Sequence, residues 1–580
     1  VSPTSPGRFR FLRRLLRRLN PAHLLSAGWR GLRNWRRCRA RDLDAVLIRL
    51  PGEMSALPQE RGFLQRRLFG EAPLSLWALD EIFSRILADP RPRVVVLSMD
   101  GLQLSLADLQ TLRGMIARLR AAGRQVVCHT QHYDMSTYYV ACAADRVLLQ
   151  PNGAFQAVGL SSEAIYLGDA LAQAGVQFEV AAISPYKSAF DTLTRSASTP
   201  EVRAQIDWLL DSRYAQLIAG IAEGRGISPE AARALIDGAP YDDDAALAAG
   251  AIDGLVYEDD LAALLNVPRL LPWEQAERKL LLPAAPAAHD KVVAVLRIEG
   301  LIATGESGGP PGDVPLPIPL PIIGEDRAGD LTVVQQVRAL LDDTRVAAVV
   351  LMIDSGGGDV TAAANMGQAL DALAQRLPMV ACMNGVAASG GYWVASAAPW
   401  IVAQPGTITG SIGVIAGKPS AGGLLERLHI HPESFRRGEN ADLFSMTAPL
   451  REAQMAHLHA SITHAYTRFV SRTASARRMT PEAVDAVGGG RVWTGEQALA
   501  HGLVDELGGL KTAITRARER AGLPEQARVV FWEDEEETPG RRPAADALNP
   551  AAWARYGWGN ALRISSGRPQ ALLPIWLRWT

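Results

Sequence analysis

Three short stretches of this chain carry residue types that could do chemistry. The first is Ala388-Ser389-Gly390-Gly391-Tyr392-Trp393, followed by Val394, Ala395 and Ala398 at helical spacing. That pattern puts the Ser389 hydroxyl at a helix start, where free backbone N–H groups and the helix dipole favour a developing oxyanion. The plainer alternative is a capping serine. The second stretch is Ile353-Asp354-Ser355-Gly356-Gly357-Gly358, at the end of an apolar run. Successive glycines let backbone approach a ligand closely and aim N–H groups at it, which suits an oxyanion hole; a bare turn is the alternative. The third is Ser184-Pro185-Tyr186-Lys187-Ser188, containing one of only five lysines among sixty basic residues. Arginine stays protonated, whereas a buried lysine can lose its proton and act as a base.

Histidine is a poorer candidate for that role. None occurs between Ser389 and His429, or within 184–191 and 353–360. The pairs His129/His132 and His429/His431 lack a third ligand nearby, the four cysteines are scattered, and there is no HExxH, P-loop or dinucleotide fingerprint. The reading is therefore of a site with no metal and no cofactor.

The elements that must position these residues are written twice. Adding 254 to the numbering lays Arg93–Gly101 on Ala347–Ser355, Tyr138–Pro151 on Tyr392–Pro405, and Gly159 on Gly413. Later the offset becomes 252, so that Ile227–Ala232 falls on Met479–Val484 and Ala246–Leu255 on Ala498–Leu507. Each copy alternates short apolar strands with amphipathic helices, the pattern of a parallel sheet covered by helices. The chain divides into an Arg-rich segment (1–44), a first repeat (45–265), a linker (266–290), a second repeat (291–515) and a C-terminal extension (516–580). A proline-dense stretch at 305–324 reads as a surface loop, a lid or a substrate rim.

A duplicated domain supplies its own control, because positions that only hold the fold should be alike in both copies. Gly356, Gly357 and Gly358 face Leu102, Gln103 and Leu104. Ser389, Gly390 and Gly391 face Met135, Ser136 and Thr137. Lys187 maps near Glu439–Ala441, where there is no lysine. The candidate chemistry is thus split: serine and glycines in the second copy, lysine in the first.

Composition bounds the rest. A chain of 580 residues with 48% apolar residues and net charge −1 can bury two cores and has no excess of basic charge to point to nucleic acid. Residues 1–41 contain twelve arginines, no lysine and no acid. Within them residues 8–19 place Phe9, Leu12, Leu16 and Leu19 on one face and arginines on the other, as in a helix lying on an anionic membrane surface. A disordered basic arm, or sequence upstream of the true start, is the alternative. No run is long enough to span a bilayer.

Taken together, Ile353–Val360, Asn384–Ala398, Thr409–Ile415 and Ser184–Asp191 resemble the S49 family of serine peptidases, in the tandem form of the membrane signal peptide peptidases. The resemblance covers about 45–512. It implies an α/β fold of tandem duplicated ClpP/crotonase-like domains and a serine endopeptidase with a Ser–Lys dyad. Ser389 would be the nucleophile, Lys187 the general base, and Ser411, whose counterpart is Ala157, a partner of the lysine amine. Gly358 and Gly390 would supply oxyanion N–H groups, with Gly356, Gly357 and Gly391 on the substrate side. It further implies hydrophobic peptide substrates such as cleaved signal peptides, a homotetramer, and a place at the bacterial inner membrane. The family's usual turn is NSPGG, here Asp354-Ser355-Gly356-Gly357-Gly358, and its usual spanning N-terminal helix is replaced by the Arg-rich segment. Two other readings stay open: an inactive scaffold of the same fold, and an acyl-CoA enzyme of the crotonase type.

Overall fold

The runs Val94–Met99 (VVVLSM) and Val346–Ser355 (VAAVVLMIDS) are almost wholly apolar, without the alternation of a half-solvated strand. Such strands belong in parallel sheets covered on both faces, and that is where the computed structural model of the chain puts them. It describes residues 31–38, 42–58, 73–282, 290–308 and 326–532, together with the backbone of 570–572. The amphipathic reading of residues 8–19 and most of the proline-dense stretch lie outside the described residues.

Each copy builds one sheet in the same order, wholly parallel in the first and parallel apart from the antiparallel edge strand Val492–Thr494 in the second. In the first, Gly254–Leu255, Arg146–Phe155, Gln125–Tyr133, Val94–Met99, Ala45–Leu50 and Leu271–Pro272 lie side by side, all parallel. In the second, Met379–Ala388, Val346–Ser355 and Val292–Glu299 repeat three of these places, and Arg528–Trp532, from the stretch read as a C-terminal extension, fills the fourth by pairing parallel with Val292–Glu299. Alternate residues along a strand feed opposite faces. Val46, Ile48, Val95 and Leu97 enter one core and Ala45, Leu47, Val94 and Val96 the other. Ala294, Leu296, Val349 and Leu351 are divided in the same way from Val293, Val295, Ala348 and Val350. The chain is therefore a tandem α/β duplication, as the sequence pattern requires.

Part of the stretch read as linker is folded. Leu271–Pro272 pairs with the first strand, and Leu271, Ala276 and Leu280 are buried in the first core. Pro272, in the first of the Pro- and Ala-bearing runs that suggested a linker, is the second residue of this short strand, with helix Trp273–Lys279 directly after it; residues 283–289, which hold the second run's prolines, lie outside the described residues.

The copies are locked together by helix Pro200–Arg225, which starts at Thr199, whose side chain accepts from Val202 N, with Pro200 in the first turn. Its Trp208 stacks on Trp493 at 5.0 Å and 15° and donates from Nε1 to Val492 O at 2.9 Å. Ser212 meets Thr494 at 2.9 Å, and Gln205 Oε1 accepts from Val492 N at 2.9 Å. A third, small sheet crosses the same boundary, where Gln177–Ala182 of the first copy pairs antiparallel with Ile415–Ser420 of the second. Both contacts hold the loop bearing Lys187 against the second copy.

Trp208→Ala removes the stack and the bond together. Loss of a large packed aromatic costs roughly 3 kcal/mol, so the midpoint of urea unfolding should fall clearly. An unchanged midpoint would show that this contact does not hold the copies together.

Candidate active site

Strand Met379–Ala388 ends at Ser389, and helix Gly390–Ala395 begins immediately after it. The reversal leaves no room for ordinary backbone angles, and Ser389 sits at φ 56°, ψ −116°. A non-glycine residue there is strained by about 1–3 kcal/mol and persists only when its surroundings hold it. Two bonds do so: Ser389 N donates to Gly410 O at 2.8 Å, and Trp393 N donates to Ser389 O at 2.9 Å. In the first copy the same position is the ordinary helix start Met135–Ala141, capped by Asp134.

Lys187 comes to this hydroxyl from the other copy, 202 residues away, with Nζ 2.6 Å from Ser389 Oγ. Nζ also donates to Ser411 Oγ at 2.9 Å and to Ser411 O at 3.0 Å. All three residues are buried, with exposures of 1%, 0% and 0% for Lys187, Ser389 and Ser411. Burial drives the Lys187 amine well below the ordinary value of 10.5. A neutral amine has two hydrogens and one lone pair. With both hydrogens given to Ser411, the lone pair is left for the proton of Ser389. Such an arrangement can take a proton from a hydroxyl without a histidine.

The glycine turn lies directly against this pair. Gly357–Asp359 forms a short strand after the Val346–Ser355 strand, with Gly356 as the residue between them. Gly358 has φ 156°, and a Cβ there would fall 2.0 Å from Ile302 O, so only glycine fits. The backbone of Gly358 is close enough that a Cβ on Gly390 would lie 3.2 Å from Gly358 N. Gly391 packs on the Ser355 carbonyl. Ser355 Oγ ties the turn down by donating to Gly300 O at 2.6 Å. The structure thus brings Ser389, Lys187, Ser411, Gly357, Gly358, Gly390 and Gly391 into one cluster, with Gly356 at its edge.

Two contributors are not singled out by the sequence reading. Gly490 is required for the approach of Lys187, because a Cβ there would sit 2.7 Å from Lys187 N. The neighbouring Gly489 accepts from Ser184 Oγ. The copy-against-copy contrast at the 252 offset marks only the neighbours, where Gly488 and Gly489 replace Ile236 and Asp237, and not Gly490, which falls on Gly238. The other contributor is a buried polar seam under the glycine turn. Asp354 accepts from Asn384 Nδ2 at 2.9 Å and from Val386 N at 3.1 Å. Burial first, and then the Asp108 carboxylate of the first copy, push Asp354 up to about 6. No single-residue motif marks this seam.

The buried amine has a consequence for stability. The unfolded chain holds the Lys187 proton up to about 10.5, while the folded chain releases it at lower pH. Over that window the unfolded state binds more protons, so this residue's contribution to stability rises with pH. Lys187→Met removes the penalty. The variant should be the more stable protein at neutral pH, by a margin that narrows as pH approaches 10.5. Chemical unfolding of both proteins across this range is the measurement; a margin independent of pH would mean that the amine is not desolvated.

The profile of peptidase family S49 matches residues 118–269 and 371–524, one region in each copy. Serine protease SPPA, chloroplastic, from Arabidopsis thaliana is 31% identical over 472 residues, covering 79% of this chain and 68% of its own. Protease 4 of Salmonella typhi is 30% identical over 517 residues, covering 85% and 80%. Protease 4 of Haemophilus influenzae is 27% identical over 469 residues, covering 77% and 73%. With both copies matched and relatives aligned along most of their length, the chain belongs to peptidase family S49 and is a serine peptidase with the tandem ClpP/crotonase-like fold.

Proposed function

We propose that the chain is a Ser–Lys endopeptidase that degrades hydrophobic peptides, such as cleaved signal peptides, at the bacterial inner membrane. The observation that carries the dyad is the 2.6 Å approach of a desolvated lysine amine to the Ser389 hydroxyl.

In this mechanism neutral Lys187 takes the proton of Ser389 as Oγ attacks the scissile carbonyl carbon. Ser411 holds the amine so that its lone pair points at the hydroxyl. The amides of Gly358 and Gly390 receive the oxyanion of the tetrahedral intermediate. Gly356, Gly357 and Gly391 keep that wall free of side chains so that peptide backbone can lie against it. The ammonium form of Lys187 then protonates the leaving amine. Water attacks the acyl-enzyme with Lys187 again as the base, and Ser389 is released. The substrate class is supported by the family. A homotetramer and a membrane contact through residues 8–19 complete the proposal; those residues lie outside the described structure. Among the described residues no helix is long and apolar enough to cross a membrane.

Labelling with a fluorophosphonate serine probe tests the dyad. The unaltered protein should label, while Ser389→Ala and Lys187→Ala should not, with peptidase activity reduced roughly a thousandfold or more. Lys187→Arg should be equally inactive, because a guanidinium keeps its proton. The kcat/KM of the unaltered enzyme should rise with pH through the depressed Lys187 value and then level off, since only the neutral amine is competent. A folded protein that does not label would favour the scaffold reading instead.

A further inference from the structure

Two neighbouring strands lead to the reacting groups, and they fall out of step just before they reach them. Ile353 pairs with Met383, but Ser355 pairs with Ala387, so Asp354 alone stands opposite Asn384, Gly385 and Val386. Such a bulge interrupts the ladder and re-aims what comes after it. Here that is Ser389, three residues beyond Val386, and Gly358, four residues beyond Asp354.

The Asp354 side chain takes the place of the missing ladder bonds. Oδ2 accepts from Asn384 Nδ2 at 2.9 Å and Oδ1 from Val386 N at 3.1 Å, and Gly385 N adds to them. The Asp354 carbonyl accepts from Gly300 N at 2.9 Å. One residue thus ties the strand that runs into the glycine turn to the strand that runs into the nucleophile. In the first copy the matching Asp100 is exposed, and Met135 stands where the nucleophile would be.

The first copy reaches this bulge from outside. A Cβ on Gly385 would lie 3.1 Å from Ser105 Oγ and 3.5 Å from Asp354 Oδ1. Ser105 caps helix Leu106–Ala121 and donates to Asp108 Oδ2 at 2.6 Å, whereas Asp108 Oδ1 is buried without a hydrogen-bond partner. Asp108 falls on Ala362 at the 254 offset, so this carboxyl belongs to the first copy alone. The other ionisable groups around the pair are Glu299, opposite Asp354 on the adjoining strand and 3.7 Å from Arg297, and the Cys382 thiol, which burial and then both aspartates push up to about 12. A charge on Asp108 therefore opposes a charge on Asp354.

We propose that Asp354 is a positioning residue whose carboxylate holds the bulge so that Ser389 and the oxyanion turn meet in register, and that Asp108 of the first copy governs how readily that carboxylate forms. The inference rests on the Ser–Lys reading above. Protonation gives Asp354 a hydrogen of its own where N–H groups already point, so one of the bulge bonds is lost. Burial and the Asp108 charge bring this change to about 6, and the bulge loosens as pH falls below that value.

The test compares variants by fluorophosphonate labelling and by hydrolysis of an apolar peptide. Asp354→Val fits a strand but accepts nothing; it should lower kcat about a hundredfold, with KM within about threefold of the parent. Asp354→Asn keeps an acceptor for Val386 N and should recover kcat to within about fivefold. Should Asp354→Val not fold, Asn384→Ala removes one donor from the same carboxylate and should cost about tenfold in kcat. Below about 6 the unaltered enzyme should lose a further factor of about ten in kcat/KM per pH unit relative to Asp354→Asn. Asp108→Asn removes the opposing charge and should move the onset of that extra loss to lower pH. A contact that only stabilised the fold would leave this acid limb in place. The proposal is overturned if Asp354→Val or its substitute keeps the parent's kcat, if Asp354→Asn is as impaired as Asp354→Val, or if the acid limbs of parent, Asp354→Asn and Asp108→Asn coincide. An unaltered protein that neither labels nor cleaves peptide sinks the Ser–Lys reading, and this inference with it.

Discussion

A lysine amine removed from water must find a counter-charge or give up its proton. Lys187 is enclosed with two serines, and burial alone accounts for the depression of its basicity. Much of the surrounding structure can be understood as the means of keeping it there. The Trp208–Trp493 stack and the pairing of Gln177–Ala182 with Ile415–Ser420 hold the two copies against each other. Gly490 admits the lysine backbone, and Ser411 fixes the amine. Each is a local arrangement, but all act on one quantity, the distance of water from a single nitrogen.

The same arrangement shows what duplication makes available. Both copies carry a strand that runs into a short helix at corresponding places, 135 and 389. In the first copy an aspartate caps that helix and the backbone is relaxed. In the second, no side chain caps it and the serine is held at positive φ by bonds to its own amide and carbonyl. The first copy, relaxed at that position, supplies the loop that carries the lysine. One fold thus serves as the strained half and the packing half of the same centre.

Much of this was legible in the sequence, for definite reasons. Fully apolar runs such as Val94–Met99 specify parallel strands covered on both faces, and two such sets at constant offset specify a duplication. Ser389, Lys187 and the 356–358 glycines stood out because the other copy lacks them at the matching positions. What was less legible depends on long-range contact. Nothing local in Leu271–Pro272 says that it will add a strand to the first sheet, since a two-residue strand has no pattern. The Asp108–Asp354 seam joins carboxylates from different copies, and although Asp354 opens the glycine-turn motif, nothing in that motif points to Asp108. Gly490 matters only because Lys187 arrives beside it, a meeting that no spacing along the chain encodes. For the same reason Gln570–Leu572 reads as an unassigned tail until its strand partners are seen.

The separation of Lys187 from Ser389 has a consequence for the chain's own making. Synthesis reaches the lysine 202 residues before the serine. On the proposed roles, a ribosome-bound chain carrying only the first copy has a base with nothing to activate, and Met135 where a nucleophile would stand. A second copy cut loose has a hydroxyl with no base beside it. Neither fragment is a protease. Competence arrives with the docking of two finished halves, so the cell meets the enzyme only after it has folded.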